Sequence, residues 1–252
     1  MEIGVYRPGE LTAADRAVWT AMQSQAHLLG APELANPFLS PEFTLAVGHC
    51  RRGVRIAVVR EEGEPVAFFP FQRTRLGVGR AIGLGLSDAQ GLVHRPGFQW
   101  DARELLRACS LAVWEFDHLV EGQKPFAVGA RGSFPSPVID VERGPAYDPA
   151  YAKYSPGLVL HLRMAEGAAA QGVDYLDLGR GEKEYKDSLK TRDLSVSEGW
   201  VTRRHPVALG HRARRAPVRA LRNTVVSRPE LFGPADRVLK GMGSLRKRDP
   251  QG

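Results

Sequence analysis

Apolar and polar positions alternate along this chain with two periods, and the switches between them divide it into elements. Thr12–Leu29 has helical spacing, with Thr12 able to cap it, Asp15 in the first turn and Ala14, Val18 and Met22 on one face. Leu34–His49 reads as a proline-punctuated loop followed by a short helix, Ser40 capping and Pro41 at the first helical position. Val54–Arg60 and Pro65–Gln72 are β runs joined by Glu61-Glu62-Gly63-Glu64, which predicts a hairpin; Pro70 falls where a missing donor is tolerable. Asp101–Ala112 is a predicted helix with Asp101 as cap and Leu105, Leu106 and Cys109 facing inward. Trp114–Leu119 is a predicted strand, and Phe126–Pro137 reads as irregular.

Further on, a tyrosine-rich stretch, Tyr147–Gly157, enters a helix that Ser155 can cap and Pro156 can start. Leu158, Leu162, Ala165 and Ala169 form its apolar face, and Gly172 closes it. Val173–Leu178 alternates as a strand, Gly179-Arg180-Gly181 turns, Glu182–Leu189 forms a short helix and Glu198–Arg204 a last strand. The glycines of Leu76–Leu86 tempt one toward a phosphate cradle. Their spacing fits neither the dinucleotide fingerprint nor a P-loop, and a loop needing permissive backbone is the simpler reading.

Composition adds one correction to this picture. With 252 residues, 43% hydrophobic and 25% charged, the chain has an ordinary globular balance. The net charge of +7 would suggest a nucleic-acid-binding fold, but 13 lysines and arginines against three acids lie in Arg203–Gly252, leaving the body mildly acidic. The tail is expected to be a poorly ordered basic appendage. Met1–Glu10 lacks a basic start followed by an apolar run, and no apolar stretch approaches a membrane span. A soluble cytoplasmic protein without a transmembrane segment is the expectation. Cys50 and Cys109 are far apart, outside any CxxC pattern, and each is expected to be a buried apolar residue. His118 and His161 have no partner spacing for a metal or a triad and are read as structural, and no G-x-S-x-G elbow occurs; no metal is expected.

The run from Tyr154-Ser155-Pro156-Gly157-Leu158 through Asp174-Tyr175-Leu176-Asp177-Leu178-Gly179-Arg180-Gly181 to Tyr185-Lys186 resembles a pattern of GNAT-superfamily acyltransferases. The likeness is to members found beside bacterial cellulose and exopolysaccharide synthesis genes, which are related to the Fem aminoacyltransferases. Phe68-Phe69-Pro70-Phe71-Gln72 and Ser87-Asp88-Ala89-Gln90-Gly91 are similar too, so the resemblance covers roughly residues 1–200. It implies an α+β (mixed α/β) fold, a GNAT-like twisted sheet with helices on both faces. It also implies a division into an N-terminal lobe (1–144), a remnant of the C-terminal lobe (145–202) and the basic tail (203–252). Relative to the family, the central block of the second lobe is missing, because Val138–Gly144 runs straight into Pro145-Ala146-Tyr147. That shortening implies fewer strands around the acyl donor and an impaired activity.

The implied reaction moves an acetyl or acyl group from acyl-CoA, with acetyl-CoA as co-substrate, to an amine or hydroxyl of a sugar or cell-envelope precursor. A helix N-terminus offers orphan N–H groups and a positive dipole end to a pyrophosphate, and Ser155, Gly157 and Leu158 stand at one. A well-capped helix without ligand describes the same residues. Asp177, Tyr185 and Lys186 are the candidate catalytic group: Lys186 to stabilise developing negative charge, Asp177 to orient it or accept a proton. The competing reading is an Asp177–Lys186 or Asp177–Arg180 ion pair that pins strand to helix. Two other functions stay open, a Fem-like transferase using charged tRNA and a non-catalytic scaffold of a polysaccharide-synthesis system.

Overall fold

Val54–Glu61 (β2) and Glu64–Arg73 (β3) are nearly continuous apolar runs, and such runs belong in a sheet covered on both faces. In the computed structural model they form an antiparallel hairpin, Ile56 opposite Pro70 and Val58 opposite Phe68. Ile56, Val58 and Phe68 turn to one side and pack with Trp19, Leu34 and Leu39. Ala57, Val59, Phe69 and Phe71 turn to the other and pack with Leu105, Leu106 and Phe126. The structure describes residues 1–26, 28–74, 76–83, 85–140, 156–173, 175–181, 184–211 and 213, excluding the side chains of 139, 140, 156–160, 184 and 188.

The remaining elements are β1 (Glu2–Tyr6), α1 (Ala13–Ala26), α2 (Pro41–Cys50), β4 (Val78–Arg80), β5 (Val93–His94), α3 (Ala102–Ala108), β6 (Val113–Val120), α4 (Lys124–Ala127), β7 (Ala130–Asp140), α5 (Pro156–Ala170), β8 (Tyr175–Asp177), α6 (Glu184–Leu189) and β9 (Arg192–Thr202). The nine described strands join one sheet in the order β1-β2-β3-β4-β6-β9-β7-β8, with β5 also on β3. Only β4–β6 pairs in parallel among the described strands. The fold is therefore a mixed, mostly antiparallel α+β sheet. Met1–Arg204 forms one compact unit and His205–Gly252 a second; in the second, a helical turn covers 206–211.

The caps follow the sequence. Thr12 Oγ1 accepts from Asp15 N–H (3.0 Å), Ser40 Oγ from Phe43 N–H (3.0 Å) and Asp101 Oδ1 from Glu104 N–H (2.8 Å). Val18 and Met22 pack against the core from the edge of the inward face of α1, whose centre lies one residue further on, and Ala14 is exposed. Asp15, Trp19, Gln23 and Ala26 are the buried ones. Trp19 stacks on Phe68 and donates to the Leu39 carbonyl (3.0 Å), Gln23 donates to Leu34 O (3.0 Å), and Asp15 pairs with Arg60 at 2.7 Å. A polar pattern hid this face because its polar members find partners inside.

Two stretches expected to be irregular are strands. Val78–Arg80 inside the glycine-rich loop pairs with β6, and Phe126–Pro137 contains most of β7. Proline argues against a central strand because it cannot donate to the ladder. Here Pro137 offers its carbonyl to Leu178 N–H (2.9 Å) on the β8 side, while Val138 O accepts from Thr191 N–H (2.9 Å) on the β9 side. Pro135 and Pro137 therefore turn their missing donors away from β9, where the ladder runs from Ala130 to Val138. Cys109 is buried as expected, its thiol pushed up to about 12 by burial, but Cys50 is exposed at the end of α2. Tyr147–Ser155 and the tail beyond 213 lie outside the described residues.

Candidate active site

β8 ends at Asp177, opposite Val138 of β7, and the chain then turns through Leu178–Gly181 into α6. Gly179 (φ +73) and Gly181 (φ +112) adopt backbone that other residues rarely take, which is how so tight a corner closes. Asp177 Oδ1 accepts from Gly179 N–H (2.8 Å) and from the Ser136 hydroxyl (2.9 Å). Burial pushes its carboxyl above the usual aspartate range, assisted by the like charge of Asp88; the two donors and His118 pull the other way.

Lys186, in α6, is only 7% exposed. Its Nζ donates to Gly179 O (2.8 Å) and Arg180 O (3.3 Å). Asp177 and Lys186 thus converge on one turn, yet through its backbone and not as an ion pair with each other. Tyr185 is 45% exposed and stands edge-on to His161, ring centroids 6.1 Å apart. Gly157 and Leu158 lie in the first turn of α5, and Ser155 lies outside the described residues.

Arg180 reaches across the corner. Its guanidinium donates to Asp117 O (3.1 Å), meets Glu198 Oε2 at 3.4 Å and lies 4.1 Å from the Phe134 ring centroid. Its anionic partner is Glu198, not Asp177. The contact brings in β6, whose ladder with β9 is interrupted between Phe116 and Leu119. Asp117 and His118 occupy that interruption, and their N–H groups are both taken by Gln90 Oε1 (3.0 and 3.2 Å). Gln90 Nε2 donates in turn to Asp117 Oδ1 at 2.6 Å. One amide side chain therefore replaces a missing stretch of ladder.

His118 sits between two carboxylates, Nδ1 3.2 Å from Asp117 and Nε2 3.6 Å from Asp88, with its side chain 17% exposed. The imidazole beside it, and then the Gln90 amide, hold the Asp117 carboxyl below the ordinary range. On the other side of Asp177, burial and the Asp177 charge push the Tyr175 phenol up to about 12. The corner thus gathers Asp88, Gln90, Asp117, His118, Asp177, Arg180 and Lys186. The sequence flagged Ser87–Gly91 only as a resemblance and read His118 as structural. The interruption that turns His118 toward Asp88 has no signature in hydrophobic periodicity.

Among the described residues no group of three or more histidines, cysteines or acids is arranged to hold a metal ion, and no helix is long and apolar enough to cross a membrane. Neither the curated proteins nor the solved structures include a significant match. Residues 144–187, a minority of the chain, match the family model described as an acetyltransferase (GNAT) domain. That stretch contains Ser155, Gly157, Leu158, Asp177, Tyr185 and Lys186, and the match supports acyl transfer in general as the chemistry of the segment that forms the corner.

Proposed function

We propose that this chain transfers an acyl group from acyl-CoA to an amine or hydroxyl of a sugar or cell-envelope precursor. The observation that carries the reading is the convergence of Asp177 and Lys186 on the Gly179–Arg180 turn, inside the segment similar to the acetyltransferase domain. A carboxylate whose proton affinity is raised by burial is a better acceptor for the proton that an attacking amine or hydroxyl must lose. A lysine fixed by two carbonyls keeps a third N–H to donate to a carbonyl oxygen that gains negative charge. Tyr185, next to Lys186 and open to solvent, borders the side from which an acceptor would approach.

Acyl-CoA supplies the activated acyl carbon as a thioester. The start of α5 fits its pyrophosphate, since a 15-residue helix leaves its first N–H groups without intrahelical partners. Ser155, Gly157 and Leu158 are the residues we assign to that role.

Thermal melting with and without acetyl-CoA tests the proposal. A ligand selective for the folded state at a hundredfold excess over Kd adds roughly 2.7 kcal/mol, and Gly157→Val should abolish the gain while the free protein still folds. No shift at any concentration removes the cofactor assignment.

A further inference from the structure

On another part of the Met1–Arg204 unit, the turn after β1, the end of α2 and the start of β2 enclose a cleft of about 750 Å³. Five arginines line it, Arg7, Arg16, Arg51, Arg52 and Arg55, together with His49, and no aspartate or glutamate does. We propose that this cleft binds a compact polyanion carrying two or more phosphate groups, at a site separate from the acyl-transfer corner.

The charge is largely unspent. Arg16, Arg51 and Arg52 have no ion-pair partner among the described residues, Arg55 uses one N–H on its own neighbour's carbonyl (Val54 O, 2.7 Å), and only Arg7 has a carboxylate close by, Glu10 at 3.8 Å. One or two basic groups are enough to complement the negative end of α2; five around one concavity exceed that need. Like charges gathered without counter-charge repel one another, and an anion held between them relieves that repulsion.

Backbone geometry brings these groups together. Gly53 (φ +84) lies so close to β3 that a Cβ there would come within 2.5 Å of Arg73 O, and one on Gly48 would meet Pro8 Cγ at 2.6 Å. Arg51, Arg52 and Arg55 therefore flank a turn that only glycine permits, and α2, which leads into it, abuts through Gly48 the Pro8 turn next to Arg7. The planar guanidinium fork matches phosphate oxygens in pairs, and several forks in one cleft call for more than one phosphate. The volume suits a small ligand, and the lining has no Phe, Tyr or Trp on which the bases of a polynucleotide could stack.

Titration calorimetry of the full chain with inorganic pyrophosphate and triphosphate tests this. One ligand per chain is expected. The double variant Arg51→Glu/Arg52→Glu, and independently Arg16→Glu, should weaken binding roughly tenfold or more, the scale of losing charge-assisted contacts. Arg103→Glu, on the exposed side of α3 and outside the cleft, should not. These arginines are exposed, so the variants are expected to keep the parental melting temperature; where one does not, the other carries the test. Absent binding, binding that survives both variants, or equal weakening by Arg103→Glu overturns the proposal. So does tighter binding of oligonucleotides with increasing length, which would make the surface a nucleic-acid track. Loss of acetyl-CoA stabilisation in the Arg51/Arg52 variant would assign the cleft to the acyl donor and likewise end the claim of a separate site. Failure of acetyl-CoA to bind the parent chain leaves pyrophosphate binding intact and bears on the acyltransferase reading alone.

Discussion

Asp177 and Lys186 hold the same residue, Gly179, from opposite ends of its peptide groups: the carboxylate accepts its N–H and the ammonium donates to its carbonyl oxygen, each at 2.8 Å. A turn with two glycines at positive φ has a large conformational entropy in the unfolded chain, and these two charged groups oppose it. The same arrangement limits the motion of both side chains, as the catalytic role proposed for them requires.

Lys186→Met keeps the length of the side chain and removes its donors. Two part-buried carbonyl oxygens lose a charged partner, so stability should fall by about 2 kcal/mol, the range for hydrogen bonds to charged groups. Acyl transfer should fall with it. Denaturant melts provide the first measurement; an unchanged midpoint would mean that the turn stands without the lysine.

Asp177 gives a pH signature. Its folded-state pKa lies above the unfolded one, chiefly through burial, so the folded state holds its proton more tightly. Its stabilising contribution is complete below the ordinary aspartate value and is lost as pH rises from there through the raised one. Asp177→Asn keeps an acceptor for Gly179 and Ser136 without the charge. The variant should match or exceed the parent's stability at neutral pH and lose that advantage on acidification through this window, while turnover collapses. Parallel stability curves for the two proteins across the whole range would contradict the assignment.

Gln90 offers a sharper test of how the corner is built. Gln90→Leu would leave the Asp117 and His118 N–H groups without their acceptor where β6 departs from β9. Two donors left without their shared acceptor at about 1–3 kcal/mol each predict a cost of roughly 2–6 kcal/mol, large for one uncharged side chain. Faster hydrogen exchange at 117 and 118, with β2 and β3 still protected, would locate the damage. Global unfolding with no local step would show that the interruption is not an independent feature.

How much of this was legible in advance depended on where the information lay. The β2–β3 hairpin, the caps at Ser40 and Asp101 and the turn at Gly179 were written in local patterns, because each is set by neighbours in sequence. β7 was not, since Pro135 and Pro137 read as breakers until one knows which edge they face. The α1 face was drawn too narrowly: Val18 and Met22 do pack on the core, but Asp15 and Gln23 lie deeper because Arg60 and carbonyls remote in sequence satisfy them. For the site, the motif around Asp177 and Lys186 was visible as a resemblance. His118 and Asp88 joined it, and Arg180 found Asp117 and Glu198 as partners, only through the pairing of β6 with β9 and the docking of Ser87–Gly91, which are long-range events.

Leu162 tests whether the corner has a foundation of its own. Ala165 is buried with Leu189, and Leu162, Leu176 and Leu178 pack beside them, so α5, β8 and α6 share a small core next to the turn. That core positions Asp177 from the strand and Lys186 from the helix, and neither element is long enough to be stable alone. Leu162→Asp would place an unpaired charge among these leucines. The expected loss is about 2–4 kcal/mol, below that of a central core site because Leu162 is only partly buried. Cleavage by a protease within α5 should accelerate before the β2–β3 core opens, and Leu162→Met should restore resistance. If Leu162→Asp leaves both stability and cleavage unchanged, α5 does not support the corner, and the convergence of Asp177 and Lys186 loses the packing that would hold it for chemistry.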